Sequence, residues 1–150
     1  MNQITTQYVT EGGACYEQYV ITDPAAKTAL TITPERGGMI TGFTLDGDEY
    51  IWTRRPNFSE CNRPRFGVPV LFPSCGNPDG GVHLFDGKAY PMECHGFADL
   101  CAWEVESVGP DGVTLILEST PLTKFLYPFD FTLLVNYNLE GSKATISMTV

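Results

Sequence analysis

The 150-residue chain has few basic residues, no long apolar run and no sustained helical periodicity. Lys and Arg number 9 against 18 Asp and Glu, so the net charge is −9. A field of this sign repels phosphate backbones and anionic lipid, which makes nucleic acids and membrane surfaces poor partners. The first residues lack the basic and apolar parts of a signal peptide, and no stretch has the length of a transmembrane helix. These absences predict a cytoplasmic protein.

The chain also lacks the common metal and cofactor motifs. Phosphate-binding glycine loops, nucleophile elbows and HExxH metal motifs are absent. No CxxC pair occurs among the five cysteines, for which reduced thiols are the simplest interpretation. A zinc site would have to use a set that matches no common zinc spacing, namely Cys61, Cys75, Cys94 and His95. We therefore expect no metal and no organic cofactor.

A two-residue periodicity dominates the chain. Between 129 and 139 the odd positions are apolar and most even positions are polar, which predicts a strand with one buried face. The same alternation continues over 143–150 after a turn, which predicts an antiparallel hairpin. Other segments predict further strands and one helical turn: strands at 16–22, 28–33, 39–45, 49–53, 89–93, 103–108 and 113–119, and the helical turn at 122–127. Short strands separated by Gly and Pro turns predict one all-β domain over 1–150, a sandwich or barrel.

Residues 54–87 interrupt this two-residue periodicity and are rich in proline, glycine and arginine. A loop this long in a compact domain is usually functional or mobile, and its aromatic residues favour an ordered binding loop. We interpret Arg54, Arg55 and Arg63 as surface charge. Arg65 is equally compatible with a ligand contact and with a structural ion pair.

Four segments of the chain stand in a recognisable order and spacing. They are the glycine-rich 36–43 with 48–52, the segment RFGVPVLFP at 65–73, the segment HGFA at 95–98 with a following tryptophan, and YPFDF at 127–131. Together they resemble the aldose 1-epimerase family, nearer its hexose-6-phosphate mutarotase branch. The resemblance implies an antiparallel β-supersandwich of the galactose mutarotase type, of which this chain supplies about the N-terminal half.

The resemblance also implies a reaction, the interconversion of the α and β anomers of an aldose or a hexose 6-phosphate. In the family, a carboxylate removes the proton of the anomeric hydroxyl while a histidine protonates the ring oxygen. His95 matches the first active-site histidine, which makes it the implied catalytic residue. Arg65 matches a substrate-binding arginine. Phe72 and Phe97 are further candidate substrate contacts, with packing in the core as their alternative role.

Two features depart from the family pattern. The second histidine and the catalytic glutamate have no counterpart in this chain, and Asp99 stands where the family has an arginine after HGFA. A negative charge at Asp99 opposes a phosphate bound nearby. We expect His95 and Arg65 to face one concave surface, and we expect these 150 residues alone not to catalyse mutarotation at an enzymatic rate.

Three functions stay open on this basis. The first is an epimerase whose remaining catalytic groups are not in this chain, and the second is a non-catalytic carbohydrate-binding module or degenerate homologue. The third, an interaction protein with no sugar role, rests on fold analogy alone. The partner in the first two is a small sugar or sugar phosphate. The apolar face of the last strand, 143–150, is unfinished, which also predicts self-association through a sheet edge.

Overall fold

A computed structural model of the chain describes residues 2–53, 58, 63, 65–110 and 112–150. These residues form eleven strands and three single-turn 3₁₀ helices. The strands β1 to β11 are Gln3–Glu11, Ala14–Asp23, Thr28–Thr33, Met39–Leu45, Asp48–Glu49, Val82–Phe85, Lys88–Pro91, Glu104–Gly109, Gly112–Glu118, Thr132–Glu140 and Lys143–Thr149. The 3₁₀ helices are Asp79–Gly81, Ala98–Leu100 and Thr123–Phe125. The all-β prediction is confirmed, and none of the helical segments in the described residues could cross a membrane.

All strand pairs in the described residues are antiparallel, apart from isolated bridges. One sheet has the order β1-β2-β3-β4-β5, a second has the order β11-β10-β9-β8, and β6 pairs with β7. The two larger sheets pack face to face, because alternate side chains of each point inward. A single buried cluster contains Ile21, Leu30 and Ile32 of the first sheet with Leu115, Leu133 and Val135 of the second. The domain is therefore a β-sandwich.

The turn after β3 packs directly on the segment that follows β7. A Cβ added at Gly37 would lie 2.4 Å from the carbonyl oxygen of Asp99, and one at Gly38 would lie 2.9 Å from the ring of Trp103. Only glycine allows this approach. Tyr137 of β10 donates a hydrogen bond to the carbonyl of Gly38, and burial raises the pKa of Tyr137. The turn is thus held between the HGFA segment and the second sheet.

The segment 65–73 connects the first sheet to the HGFA segment. Val68 forms an antiparallel bridge with Ile40 of β4, and Phe72 forms a parallel bridge with Gly96. The carbonyl of Phe72 accepts hydrogen bonds from the backbone N–H groups of Phe97, at 2.9 Å, and of Ala98, at 3.2 Å. The part of the predicted binding loop that the structure describes is therefore ordered against the sandwich. Arg54 and Arg55 lie outside the described residues.

Strand β11 differs from its neighbours because all seven of its residues are exposed. It pairs with β10 on one side and forms the edge of the second sheet. Its apolar side chains Ile146 and Met148 are 45% and 51% exposed. The hairpin predicted from the sequence is confirmed, and its second strand buries neither face against the described residues.

Candidate functional site

His95 lies in a tight turn at the end of the segment that follows β7. The backbone N–H of Gly96 donates to the carbonyl of Glu93 at 3.0 Å, which closes a four-residue turn with His95 in the third position. The φ angle of His95 is +73°, in the left-handed region, as type II turns require at this position. Glycine normally occupies such a position, so the histidine there is strained. Non-glycine residues held in this way concentrate at functional sites.

Gly96 fixes the other end of the turn. Its φ is +78°, and an added Cβ would lie 2.2 Å from the carbonyl oxygen of Phe72. Any side chain here would push the turn away from the 65–73 segment. Gly96 therefore makes the turn sharp, and His95 before it also adopts the left-handed conformation, which the sequence did not indicate.

The His95 ring has one fixed nitrogen. Nδ1 lies 3.1 Å from the carbonyl oxygen of Cys75, and the His95 backbone N–H donates to the carbonyl of Gly76 at 3.0 Å. Because a carbonyl only accepts, Nδ1 carries the proton in this contact. The ring is partly exposed, and Nε2 is therefore the nitrogen left to meet a ligand.

Beneath this turn, the rings of Phe72 and Phe97 belong to an aromatic cluster. Phe72 packs 6.1 Å from Phe97, 5.6 Å from Tyr127 and 5.0 Å from Phe131, measured between ring centroids. Phe72 is 9% exposed and Phe97 is 5% exposed, so both rings are part of the core. Three of the four segments singled out in the sequence therefore converge on Phe72. A direct contact of Phe72 or Phe97 with a substrate stays a prediction.

Asp99 lies at the back of the turn and is paired with Arg63. Nη1 of Arg63 lies 2.5 Å and 2.6 Å from the two carboxylate oxygens, and Nη2 donates to the carbonyl of Gly96 at 2.8 Å. Asp99 is 1% exposed and the Arg63 side chain is 20% exposed. Burial raises the pKa of Asp99, and the positive charge of Arg63 offsets part of this rise. The interpretation of Arg63 as surface charge was wrong.

Arg65 lies in a separate hollow, beside aromatic side chains. The hollow has a volume of about 340 Å³, and its lining includes Tyr50, Trp52 and Pro69 together with Arg65. Tyr50 is 62% exposed and Trp52 is 66% exposed, so two aromatic side chains are largely solvent-accessible next to an arginine. His95 does not line this hollow. That His95 and Arg65 face one concave surface stays a prediction.

The described residues hold no group of three side chains suited to a metal ion. Cys61, one of the four residues weighed above for a zinc site, lies outside them. Cys15, Cys75, Cys94 and Cys101 are free thiols. His83, which lies in the predicted loop, is on β6 and contacts the ring of Phe85 edge-on at 5.8 Å. His95 and the charged groups around its turn are the candidate residues on this face.

The family comparison matches residues 17–150 to the model described as aldose 1-epimerase. The chain belongs to the aldose 1-epimerase family. A comparison with curated proteins gives no match. Among solved structures, the protein Slr1438 of Synechocystis sp. PCC 6803 is 30% identical with a TM-score of 0.84, over 99% of this chain and 51% of that protein.

Two further structures support the same fold. A galactose mutarotase related enzyme from Lactobacillus acidophilus is 28% identical with a TM-score of 0.71, over 83% of this chain and 39% of that enzyme. A galactose 1-epimerase from the same species is 17% identical with a TM-score of 0.68, over 93% of this chain and 46% of that enzyme. This likeness shows the fold alone. The chain thus has the galactose mutarotase-like sandwich fold and spans about half the length of these structures.

Proposed function

We propose that this aldose 1-epimerase family member contributes the histidine-bearing half of a site that interconverts the α and β anomers of an aldose. The observation that carries the proposal is the strained His95 turn, whose ring is fixed through Nδ1 and leaves Nε2 free. In its imidazolium form, a ring held in this way presents the Nε2 proton to one oxygen of a bound sugar.

The proposed mechanism opens the sugar ring and closes it on either face. The imidazolium form of His95, protonated on both ring nitrogens, donates its Nε2 proton to the ring oxygen while a base takes the proton of the anomeric hydroxyl, which gives the open aldehyde. Rotation about the bond next to the carbonyl exposes its other face, and closure reverses both proton transfers. Phe72 and Phe97 support the turn from the core side. The base of this reaction has no counterpart among the residues that match the family pattern.

The substrate class is an aldose, with the 6-phosphate as the finer proposal. The sequence argument against a phosphate was the charge of Asp99. In the fold that carboxylate is buried and neutralised by Arg63, so its field toward a ligand is weak. Arg65, which is exposed, is the group we propose to contact hydroxyl or phosphate oxygens. We place this activity in the cytoplasm.

The test is a titration of the ¹⁵N-labelled chain with galactose, glucose and glucose 6-phosphate, followed by NMR. We expect saturable shifts of the His95 ring and the Gly96 amide, with a dissociation constant on the order of 1 mM. His95→Gln should abolish the ring signal and weaken binding, whereas His83→Gln should change neither. Inositol, a cyclic polyol without a ring oxygen, serves as the ligand control. Absence of saturable shifts around His95 with every sugar would exclude the proposed site.

Polarimetry on freshly dissolved α-glucose and α-galactose measures turnover in the same samples. We expect rates near those of buffer, since an acid without its base supplies only part of the acceleration. Acceleration well above buffer by the purified monomer would mean that the base is within this chain. His83, Asp79 and Asp86 would then be the groups to substitute.

A second candidate, a non-catalytic carbohydrate-binding module, is favoured by the hollow of Arg65, Tyr50 and Trp52. Exposed aromatic rings beside a hydrogen-bonding cation provide apolar and polar contacts for a sugar ring. If this hollow is the binding site, Trp52→Ala should abolish sugar binding while His95→Gln leaves it intact. Leu122→Ala, which removes another exposed apolar side chain, is the matched control.

A further inference from the structure

Arg63 contacts residues on both sides of His95. Its Nη2 donates to the carbonyl of Gly96 at 2.8 Å and lies 3.6 Å from the carboxylate of Glu93. Its Nη1 meets both carboxylate oxygens of Asp99. Glu93 and Gly96 are the first and last residues of the turn that holds His95. One guanidinium group therefore contacts both ends of the turn and the buried carboxylate of Asp99.

The contacts of Arg63 have the geometry that only a guanidinium provides. Its planar fork directs several N–H groups at fixed angles, so it can bind the carboxylate of Asp99 and the carbonyl of Gly96 together. A lysine ammonium is a single charged centre and does not reproduce this pairing. Asp99 in turn needs a partner, because a carboxylate with 1% exposure is costly to leave unpaired.

We propose that Arg63 is a positioning residue for His95. Arg63 keeps the turn in its left-handed conformation and keeps the His95 ring oriented so that Nε2 can meet a ligand. The inference rests on the proposed role of His95 and adds a residue that the family resemblance did not assign. Arg63 acts through the backbone of the turn and does not itself meet the sugar. The strain at His95 makes such a clamp necessary, since a left-handed histidine persists only where its surroundings hold it.

The experiment follows the His95 ring by long-range ¹H–¹⁵N NMR in the whole 150-residue chain without sugar. The chain has only two histidines, so His83 is an internal control. In the wild type we expect Nδ1 of neutral His95 to carry the proton. In Arg63→Lys, which keeps a positive charge beside Asp99, we expect the His95 signals to move toward a mixture of tautomers and the Gly96 amide to shift. His83 should not change.

Arg65→Lys is the matched control, because it makes the same exchange two positions along the chain and should leave the His95 ring unaltered. If Arg63→Lys does not fold, the pair Arg63→Met with Asp99→Asn removes both charges together and gives the same readout. A folded variant of either kind in which the His95 ring and the Gly96 amide keep their wild-type signals would overturn the proposal. Arg63 would then serve only the packing of Asp99.

Addition of galactose separates this inference from the proposed function. If the His95 signals of the wild type shift when galactose is added, we expect Arg63→Lys to raise the dissociation constant for galactose about fivefold or more. The reason is that a misdirected His95 ring contacts the sugar less well. If the wild type does not respond to any sugar, the proposed function fails. The effect of Arg63 on the tautomer of His95 then still decides whether it positions this ring.

Discussion

At the scale of single residues, His95 combines a partly exposed ring with a backbone conformation that L residues rarely adopt. A left-handed conformation costs roughly 1–2 kcal/mol for a residue with a Cβ. Glycine would remove that cost but would also remove the ring. The turn therefore gives up stability to keep an imidazole at this position, and on this ground we propose a functional role for His95.

His95→Gly and His95→Ala separate the backbone strain from the loss of the ring. Both remove the contact with the carbonyl of Cys75, but only glycine relieves the strain. We expect the glycine variant to be more stable than the alanine variant by about 1 kcal/mol, as measured by urea unfolding. At Cys94, whose φ is not positive, the same pair of substitutions should favour alanine. Equal stability of the two His95 variants would show that the turn is not strained.

At the scale of the elements, the ion pair of Asp99 and Arg63 joins the predicted binding loop to the 95–103 segment. The two residues are 36 positions apart, so this contact exists only in the folded chain. Its energetic balance depends on two opposing effects. Burial disfavours the carboxylate, while the charge of Arg63 and a smaller contribution from His95 favour it.

The raised pKa of Asp99 predicts a particular dependence of stability on pH. A carboxyl whose pKa in the folded state lies above its ordinary 3.8 contributes its full stability below that value, and loses it as the pH rises through the raised pKa. The free energy of unfolding of the wild type, relative to Asp99→Asn, should therefore fall as the pH rises above about 4. Urea unfolding at a series of pH values measures this difference.

Asp130→Asn is the control of opposite sign. A hydrogen bond from Lys124 lowers the pKa of Asp130, so the wild type should gain stability relative to this variant as the pH rises through the lowered value. If the wild type also gains stability relative to Asp99→Asn as the pH rises, the charge of Arg63 outweighs the burial of Asp99. The pKa of Asp99 would then be lowered and not raised.

Most strands could be predicted because one face of each is buried. β3 and β4 have the predicted bounds, and β10 shows the predicted alternation in its burial. β1 was missed, since most of its residues are exposed and it lies at a sheet edge, where selection for an apolar face is weak. The predicted strand 49–53 is shortened to Asp48–Glu49. The carboxylate of Glu49 accepts hydrogen bonds from the backbone N–H groups of Phe43 and Ile51 and replaces part of the ladder.

Part of the candidate site could also be predicted, and part could not. The resemblance identified His95 because its motif is local in sequence. Arg63 was interpreted as surface charge because nothing near it in sequence indicates a partner, and only the fold brings it to Asp99. The sequence likewise could not distinguish the exposed Trp52 from the buried Trp103, since both tryptophans lie in strand-like apolar patterns.

At the scale of the whole molecule, the chain spans about half the length of the solved structures that it resembles. The first sheet is bordered by β1 and β5, and the second by β11 and β8. Among these edges, β11 presents apolar side chains at alternate positions, Ile146 and Met148, that lie on one face of the strand. An exposed apolar edge of this kind is a site for pairing with another chain.

We expect the purified chain to self-associate through β11, with a second copy as the partner. Ile146→Lys with Met148→Lys introduces the charges that block natural sheet edges. Because both side chains are about half exposed, covering them contributes about 2 kcal/mol, and the double variant should weaken dimerisation about thirtyfold. Val108→Lys is the matched control, since Val108 is 48% exposed on β8, the opposite edge of the same sheet. Sedimentation velocity over a range of concentrations measures the effect. A wild type that stays monomeric throughout, or an equal loss of association in Val108→Lys, would show that β11 is not the contact.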